Sequence, residues 1–584
     1  MNLLNSTFLG ILCLVGFNSS AQIFFQESAT TLGLNNSSYG MGFFGAGVAF
    51  YDFDQDGWDD ITMATEAGMP VRFFRNIQGV FSEDFFISND PMYETKSITW
   101  VDINNDGELD LFVTSESGEN RLYKNTGNMN LVDITASSGL ALYGFKSWGA
   151  SWGDINNDGF LDVFISCRDI VDLSIPNFIF LNNGDDTFTN INTIAGIPNN
   201  NYHTFCVAFI DFDKDGLQDI YTANDKHTTA NNLYKNNGNN TFTDVAAATN
   251  SDFIMDAMST TIGDYNNDGW LDIYITNTAS GNVFAEFDPA TGTFTDIAAS
   301  NGTIFNSIGW GAIFVDADND TDLDLYVSGS MVQGNYFNYI SAAFYENDGL
   351  GIYSIPSNAG FQNDNAMSFA NALGDIDNDG KPDMVVLNFA PDDLYLWRNQ
   401  SNNNNNWIKI KLQGTTSNYQ GIGSWIEVSA GGQSQHRYTL LNEGYLGQNS
   451  AYEFVGLGTT QQIDYIKVQW LSGVIDSIPN PPINQHLTIV EGSNTLSIQE
   501  FEQNNRLSVF PNPAKDIVHF SIAGENNIRS IVLRDMKGSV VQTEHFDTSE
   551  STKSLRIKVL KSGLYIAEVL LNNHEKRYSK ILIE

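Results

Sequence analysis

One nine-residue stretch, Asp52-Phe53-Asp54-Gln55-Asp56-Gly57-Trp58-Asp59-Asp60, constrains this chain more than any other, because variants of it return six more times at nearly even spacing. Carboxylates stand at positions 1, 3, 5 and 9, with glycine at position 6. Alternate residues of an extended or turning backbone point the same way, so Asp52, Asp54 and Asp56 can converge. Gly57 permits the reversal that returns Asp60 to the same point, and the carbonyl of Trp58 can add another oxygen. Clustered anionic oxygens repel one another unless a hard cation lies between them. Calcium, with six to eight oxygens at about 2.3–2.6 Å in a tolerant geometry, fits better than magnesium, which demands a stricter octahedron. The flanks read as strands, Gly47-Val48-Ala49-Phe50-Tyr51 before and Ile61-Thr62-Met63-Ala64 after, so the cation would pin a β-hairpin.

The loops begin at Asp52, Asp102, Asp154, Asp211, Asp264, Asp316 and Asp375, in steps of 50, 52, 57, 53, 52 and 59 residues. Loop 1 offers Asp52, Asp54, Asp56, the Trp58 carbonyl and Asp60; loop 2 offers Asp102, Asn104, Asp106, the Glu108 carbonyl and Asp110. Loop 3 offers Asp154, Asn156, Asp158, Phe160 and Asp162; loop 4 offers Asp211, Asp213, Asp215, Leu217 and Asp219. Loops 5, 6 and 7 offer Asp264, Asn266, Asp268, Trp270 and Asp272; Asp316, Asp318, Asp320, Asp322 and Asp324; and Asp375, Asp377, Asp379, Lys381 and Asp383. Up to seven Ca2+ are expected. Asn104, Asn156 and Asn266 are neutral donors that should lower affinity modestly, and Thr321 stands where loop 6 needs its turn glycine. The loop resembles the first part of an EF-hand but lacks the glutamate at position 12 and the flanking helices.

A period near 50 with several short strands per unit is the signature of a propeller or β-array. Each loop precedes a strand such as Asp110-Leu111-Phe112-Val113-Thr114, then an aromatic strand such as Leu122-Tyr123-Lys124-Asn125, then a short strand such as Phe242-Thr243-Asp244-Val245. With the strand before the loop this makes four, one propeller blade. The seventh unit lacks its last strand. Phe25-Gln26-Glu27-Ser28, near the other end of the chain, has the right pattern to supply it and close the ring. The expected fold is therefore all-β, a seven-bladed β-propeller followed by two small β-sandwich-like domains.

These residues, from about Phe24 to Asn399, resemble FG-GAP/VCBS repeats, the calcium-loop propeller repeats also found in integrin α-subunits; the resemblance implies a calcium at each hairpin. The expected boundaries are a propeller over 22–400, an Asn-rich linker over 401–406, a β domain over 407–492, a linker over 493–504 and a final domain over 505–584. The 407–492 segment, with Asn418, Gly421-Ile422-Gly423, Asn442-Glu443-Gly444-Tyr445, Gly456-Leu457-Gly458, Trp470-Leu471-Ser472-Gly473 and Asn484-Gln485, resembles the ASPIC/UnbV domain of the cartilage acidic protein family. It departs at Leu471, where proline is usual, and lacks the histidine that usually precedes the Gly456 turn. The last segment, from Leu507-Ser508-Val509-Phe510-Pro511-Asn512-Pro513 through Lys561-Ser562-Gly563-Leu564-Tyr565, resembles the type A sorting domain of the type IX secretion system of Bacteroidetes. That resemblance implies passage through the outer membrane and release or surface attachment.

Other features bound the function. Met1–Ala21 holds an apolar run, Phe8 to Phe17, followed by small residues, which predicts a signal peptide cleaved near Ala21 and an exported protein, secreted or held at the outer-membrane surface. No later stretch is apolar enough to be a transmembrane segment. The net charge is −42, of which seven divalent cations would offset one third. Such a surface disfavours nucleic acid. Cys13 leaves with the signal, and Cys167 and Cys206 could form one bridge or remain two buried thiols, the latter favoured. His203, His227 and His436 fit no zinc or triad spacing, so no catalytic residue is assigned. The expected function is a calcium-stabilised, non-catalytic binding or adhesion protein for an extracellular glycan or protein ligand, carried by the type IX machinery. The alternatives are a polysaccharide-processing hydrolase or lyase on the same propeller, and a structural surface-layer component.

Overall fold

A computed structural model of the protein describes residues 23–172, 174–200, 202–331, 339–494, 507–522, 527–535, 539–546, 550–572 and 576–583. The predicted signal segment and most of the 493–504 linker lie outside them. The described residues form two compact units, divided near Thr495. No helix among them is long and apolar enough to cross a membrane.

Seven blade-like sheets repeat through the described residues of the first unit, six of four antiparallel strands and one, in blade 1, with a fifth strand added in parallel. Blade 2 is representative, with strands Thr95–Val101, Asp110–Ser115, Arg121–Asn125 and Leu131–Asp133. Each acidic loop joins the innermost strand of a blade to the second. The innermost strand of blade 2 is buried along its whole length, because both its faces meet other strands. Blade 7 takes its fourth strand from the other end of the propeller: Phe25–Glu27 pairs antiparallel with Tyr395–Asn399, with Phe25 opposite Asn399. This leaves no long unpaired edge in that blade.

A recurring asparagine ties neighbouring blades together. At the end of the third strand, Asn182 donates through Nδ2 to the carbonyl of Leu161 in its own loop and to that of Ile103 in the preceding loop. Asn236 does the same with Gln218 and Ile155, and Asn399 with Pro382 and Ala317. Asn76 of blade 1 reaches Ile376 of blade 7, across the closure of the ring.

The second domain lies in the same unit. Tyr452–Gly458, Asn406–Gln413 and His486–Val490 make one sheet; Gln433–Tyr438, Trp425–Ala430, Ile463–Gln469 and Ile475–Pro479 make the other. Between them Ile408, Ile410, Ile426, Val428, Val468 and Trp470 form the core of a sandwich. The stretch expected as a linker is tied down: Asn403 and Asn405 donate to the carbonyl of Asp318, and Asn406 already opens a strand. The second unit is also a sandwich, with a three-stranded and a four-stranded sheet around Phe520, Ile531, Leu533, Ala567 and Val569. Cys167 and Cys206 are two buried free thiols, so the single bridge is not formed.

Candidate metal centres

The same hydrogen bonds build all seven loops. The position 1 carboxylate accepts the N–H groups of positions 5 and 6; for Asp52 these come from Asp56 at 3.0 Å and Gly57 at 3.1 Å. Asp102, Asp154, Asp211, Asp264, Asp316 and Asp375 repeat the pair. Position 5 accepts the N–H of position 7, so Trp58, Glu108, Phe160, Leu217, Trp270, Asp322 and Lys381 all enter the loop through their backbone. Position 9 knits the blade together, since one oxygen accepts from the third strand in every loop, as Asp60 does from Asn76 at 2.7 Å.

Two left-handed residues turn each loop. Position 6 is the expected one, with φ of +81° to +93° at Gly57, Gly107, Gly159, Gly216, Gly269 and Gly380. In loop 6 Thr321 adopts φ +96°, a strained conformation for a β-branched residue. Position 4 is the second turning point, occupied by Gln55, Asn105, Asn157, Lys214, Asn267, Asn319 and Asn378 at φ near +57°. Its frequent asparagine was the available signal, because asparagine tolerates this region best after glycine.

Four loops bring three carboxylates within 4.8 Å of one another: Asp52, Asp54 and Asp60; Asp211, Asp213 and Asp219; Asp316, Asp318 and Asp320; Asp375, Asp377 and Asp383. These clusters could hold a metal ion. Loops 2, 3 and 5 gather no such triple among the described residues. There the amide oxygens of Asn104, Asn156 and Asn266 accept the N–H of position 5 at 3.0–3.1 Å.

The electrostatics fit a cation. Burial, followed by smaller contributions from neighbouring aspartates, pushes the carboxyl of Asp60 from 3.8 up to about 9, Asp110 to about 8 and Asp219 to about 9. Asp162, Asp272, Asp324 and Asp383 are raised well above the ordinary range for the same reason. Buried carboxylate oxygens of Asp213 and Asp272 have no hydrogen-bond partner. An oxygen-seeking cation would satisfy these atoms and restore the charged form.

Loop 6 is the most acidic. The third strand of blades 1, 4 and 7 places a basic residue on position 3: Arg75 on Asp54 at 3.2 Å, Lys235 on Asp213, and Arg398 on Asp377. Blade 6 has Glu346 at that strand position. Burial and mutual repulsion raise Asp318 to about 8 and Asp322 to about 9.

The second domain covers this end of the propeller. Lys409 Nζ lies 3.0 Å from Asp375 Oδ2, with both side chains almost fully buried. His436 Nδ1 lies 3.1 Å from Asp264 Oδ2, and half-buried Arg437 feels the charge of Asp316. Gln420 accepts the N–H of Asp102 at 2.8 Å, Tyr419 donates to Asn105, and Tyr438 meets Gln218. At loop 3 a Cβ on Gly159 would come within 2.7 Å of the Thr416 carbonyl, and at loop 6 one on Gly456 would strike Asp316. Sequence reasoning missed these partners because Lys409 and Lys411 alternate with Ile408, Ile410 and Leu412, which reads as a solvent face. The isoleucines fill the sandwich, while Lys409 meets the acidic loops.

A segment of the same domain enters the centre of the ring. Gly447–Gln448 pairs parallel with Val48 and Ala49 of the inner strand of blade 1, and Gly444 bridges Thr260 of blade 5. Tyr445 is fully buried between Phe205 and Trp310, and its hydroxyl donates to the Phe44 carbonyl at 2.6 Å. Glycine is required here: a Cβ on Gly447 would sit 2.5 Å from the Asn371 carbonyl. The Asn442-Glu443-Gly444-Tyr445 motif is thus a plug.

Three family profiles match segments of the chain. The FG-GAP-like repeat profile matches residues 52–113, 102–165, 211–275 and 264–327; the ASPIC and UnbV profile matches 414–496; the secretion system C-terminal sorting domain profile matches 508–584. The chain carries FG-GAP repeats, an ASPIC/UnbV domain and a type IX sorting domain. Cartilage acidic protein 1 of Homo sapiens is 26% identical over 263 residues, 40% of this chain and 38% of that protein. Its Xenopus tropicalis counterpart is 26% identical over 260 residues, again 40% of this chain and 39% of that protein. The chain therefore spans about two-fifths of the length of the curated relatives it matches. A solved extracellular domain of a one-component system from B. thetaiotaomicron aligns over 97% of this chain and 58% of its own at 8% identity and a TM-score of 0.38, too distant to carry an argument. The sorting domain implies dealings with the type IX machinery and export to the cell surface or beyond.

Proposed function

We propose that the protein is an exported, calcium-pinned propeller that binds an extracellular glycan or protein and does no chemistry of its own. The observation that carries this reading is the set of seven hairpin loops with one hydrogen-bond plan, four of them already gathering three carboxylates. Calcium is the cation these hard oxygen donors suit, and up to seven ions are expected. Their role is structural, because the loops lie under the second domain, with the Lys409–Asp375 pair almost wholly buried. Bound there, calcium supplies neutralising charge and fixes the hairpins. The residues around it orient the loop backbone and fasten blade to blade and domain to domain.

The test is incubation of the calcium-loaded protein with panels of glycans and proteins. Retention without new reducing or unsaturated ends is expected. Steady release of such ends would instead establish a polysaccharide-processing enzyme.

A further inference from the structure

The end of the propeller opposite the acidic loops carries a cavity of about 480 Å³. Its position follows from the topology: it is lined by residues at the starts of inner strands, such as Phe205 and Trp310, and just past the ends of second strands, such as Asp225 and Phe389. An inner strand of seven residues spans roughly 20 Å, so this mouth lies about that far from the loops. Tyr445 of the plug packs on Phe205 and Trp310, two of the residues that line the cavity.

Four features mark the mouth as built for a ligand. The lining is soft and apolar, with Met41, Met258 and Met367 beside Phe43, Phe389 and Trp310, and methionine adapts to varied apolar partners. Met41 and Phe43 are exposed, at 67% and 46%. The backbone is strained at this point, since Phe44 and Lys226 adopt φ of +54° and +104°, conformations that cost free energy and concentrate at functional sites. Finally, the charges are unequally matched. Asp225 is held by Arg168 and by Lys226 at 2.6 Å, whereas Asp256 has neither lysine nor arginine within ion-pair distance among the described residues. Among the described residues it accepts the His227 N–H at 3.2 Å and the Thr278 hydroxyl at 3.5 Å, with the His227 ring 3.6 Å away.

We propose that this cavity binds an extended extracellular peptide by taking up a bulky apolar side chain, with a neighbouring lysine or arginine placed on Asp256. The ring already accepts such a segment from within the chain, the plug with its buried Tyr445 and its backbone paired to an inner strand. A net charge of −42 favours a cationic partner on encounter. A glycan is the poorer match, because few polar groups line the cavity and Asp225 is already committed to Arg168 and Lys226. This inference rests on the reading of the protein as a binding protein and names the class of its ligand.

The test is selection of a displayed random dodecapeptide library on the full calcium-loaded chain, with a glycan array run in parallel. Enriched peptides are expected to pair an aromatic or large aliphatic residue with an adjacent lysine or arginine. Binding of a synthetic enriched peptide should fall at least tenfold in Asp256→Lys and in Phe43→Asp. Both positions are at least partly exposed, and unchanged melting temperatures will certify the fold. Met41→Ser, at a still more exposed site, supplies a milder variant and should weaken binding in the same direction. No enrichment, enriched peptides indifferent to all three substitutions, or a glycan whose retention these substitutions abolish would each overturn the inference. Peptides that bind elsewhere leave the binding role intact and remove only the cavity. Turnover of a glycan removes the binding role itself.

Discussion

The two ends of the propeller solve opposite problems. At the loop end, carboxylates are crowded and buried, and the second domain adds Lys409, His436 and Arg437 where charge is least tolerable. At the mouth, large apolar side chains stand exposed around a cavity, and Tyr445 packs on one of its lining residues, Trp310. The contrast teaches that the second domain is part of the propeller's own structure: it covers one end, and its plug packs against residues that line the other. Loop end and mouth are therefore mechanically joined through a segment of a few residues.

The sharpest way to break this comparison is to cut that link. Tyr445→Ala removes a fully buried ring and should cost about 3–5 kcal/mol in urea unfolding, while Phe43→Ala at the open mouth should cost under about 1 kcal/mol. Equal costs would mean that the plug is not the anchor. Next is Lys409→Met. Without calcium it leaves Asp375 buried and unpaired, with an expected loss of about 3 kcal/mol; saturating calcium should shrink that loss markedly, because the ion takes over the neutralising role. A loss independent of calcium would place the ion elsewhere.

The third prediction concerns pH. Burial, with the charge of Glu453 added, pushes the Glu443 carboxyl in the plug from 4.5 up to about 8. The folded state therefore holds a proton there that the unfolded chain has released. Its contribution is complete below about 4.5 and is lost as pH rises toward 8, at up to about 1.4 kcal/mol per unit. At saturating calcium, melting temperature should decline across this window in the wild type and decline less in Glu443→Gln. Parallel curves would remove Glu443 from the account. The smallest effect is expected at Thr321→Gly, which relieves the positive φ of loop 6 and should add about 1 kcal/mol, read as a rise in urea midpoint.

Much of the loop end is legible in the sequence. Seven evenly spaced acidic stretches, strand-like flanks and a displaced final strand at Phe25 lead to blades and to their closure, since each rests on local pattern. In loops 1, 4 and 7 the carboxylates at positions 1, 3 and 9 come together, in loop 6 those at positions 1, 3 and 5 do, and the threonine at position 6 of loop 6 takes a positive φ. What stayed hidden depends on contacts between distant residues. Lys409 meets Asp375 from 34 positions away, and Tyr445 meets Phe44 from 401 positions away. A lysine alternating with isoleucines has one pattern whether it faces water or a buried aspartate. Likewise, the glycines of the plug look like turn residues until the inner strands they press against are in place. The mouth left little trace because its lining comes from residues 41–44 and from short, separate pieces of blades 4 to 7.

The central claim is that divalent cations hold the acidic hairpins, and with them the ring, in this arrangement. Its most direct measurement is the melting temperature of the full chain in excess EGTA and across a series of free calcium concentrations. The account predicts a large fall on chelation and a recovery that keeps rising with calcium beyond saturation, because each filled site adds about 2.7 kcal/mol at a hundredfold excess over its Kd. A melting temperature that is the same in EGTA and in millimolar calcium would contradict it.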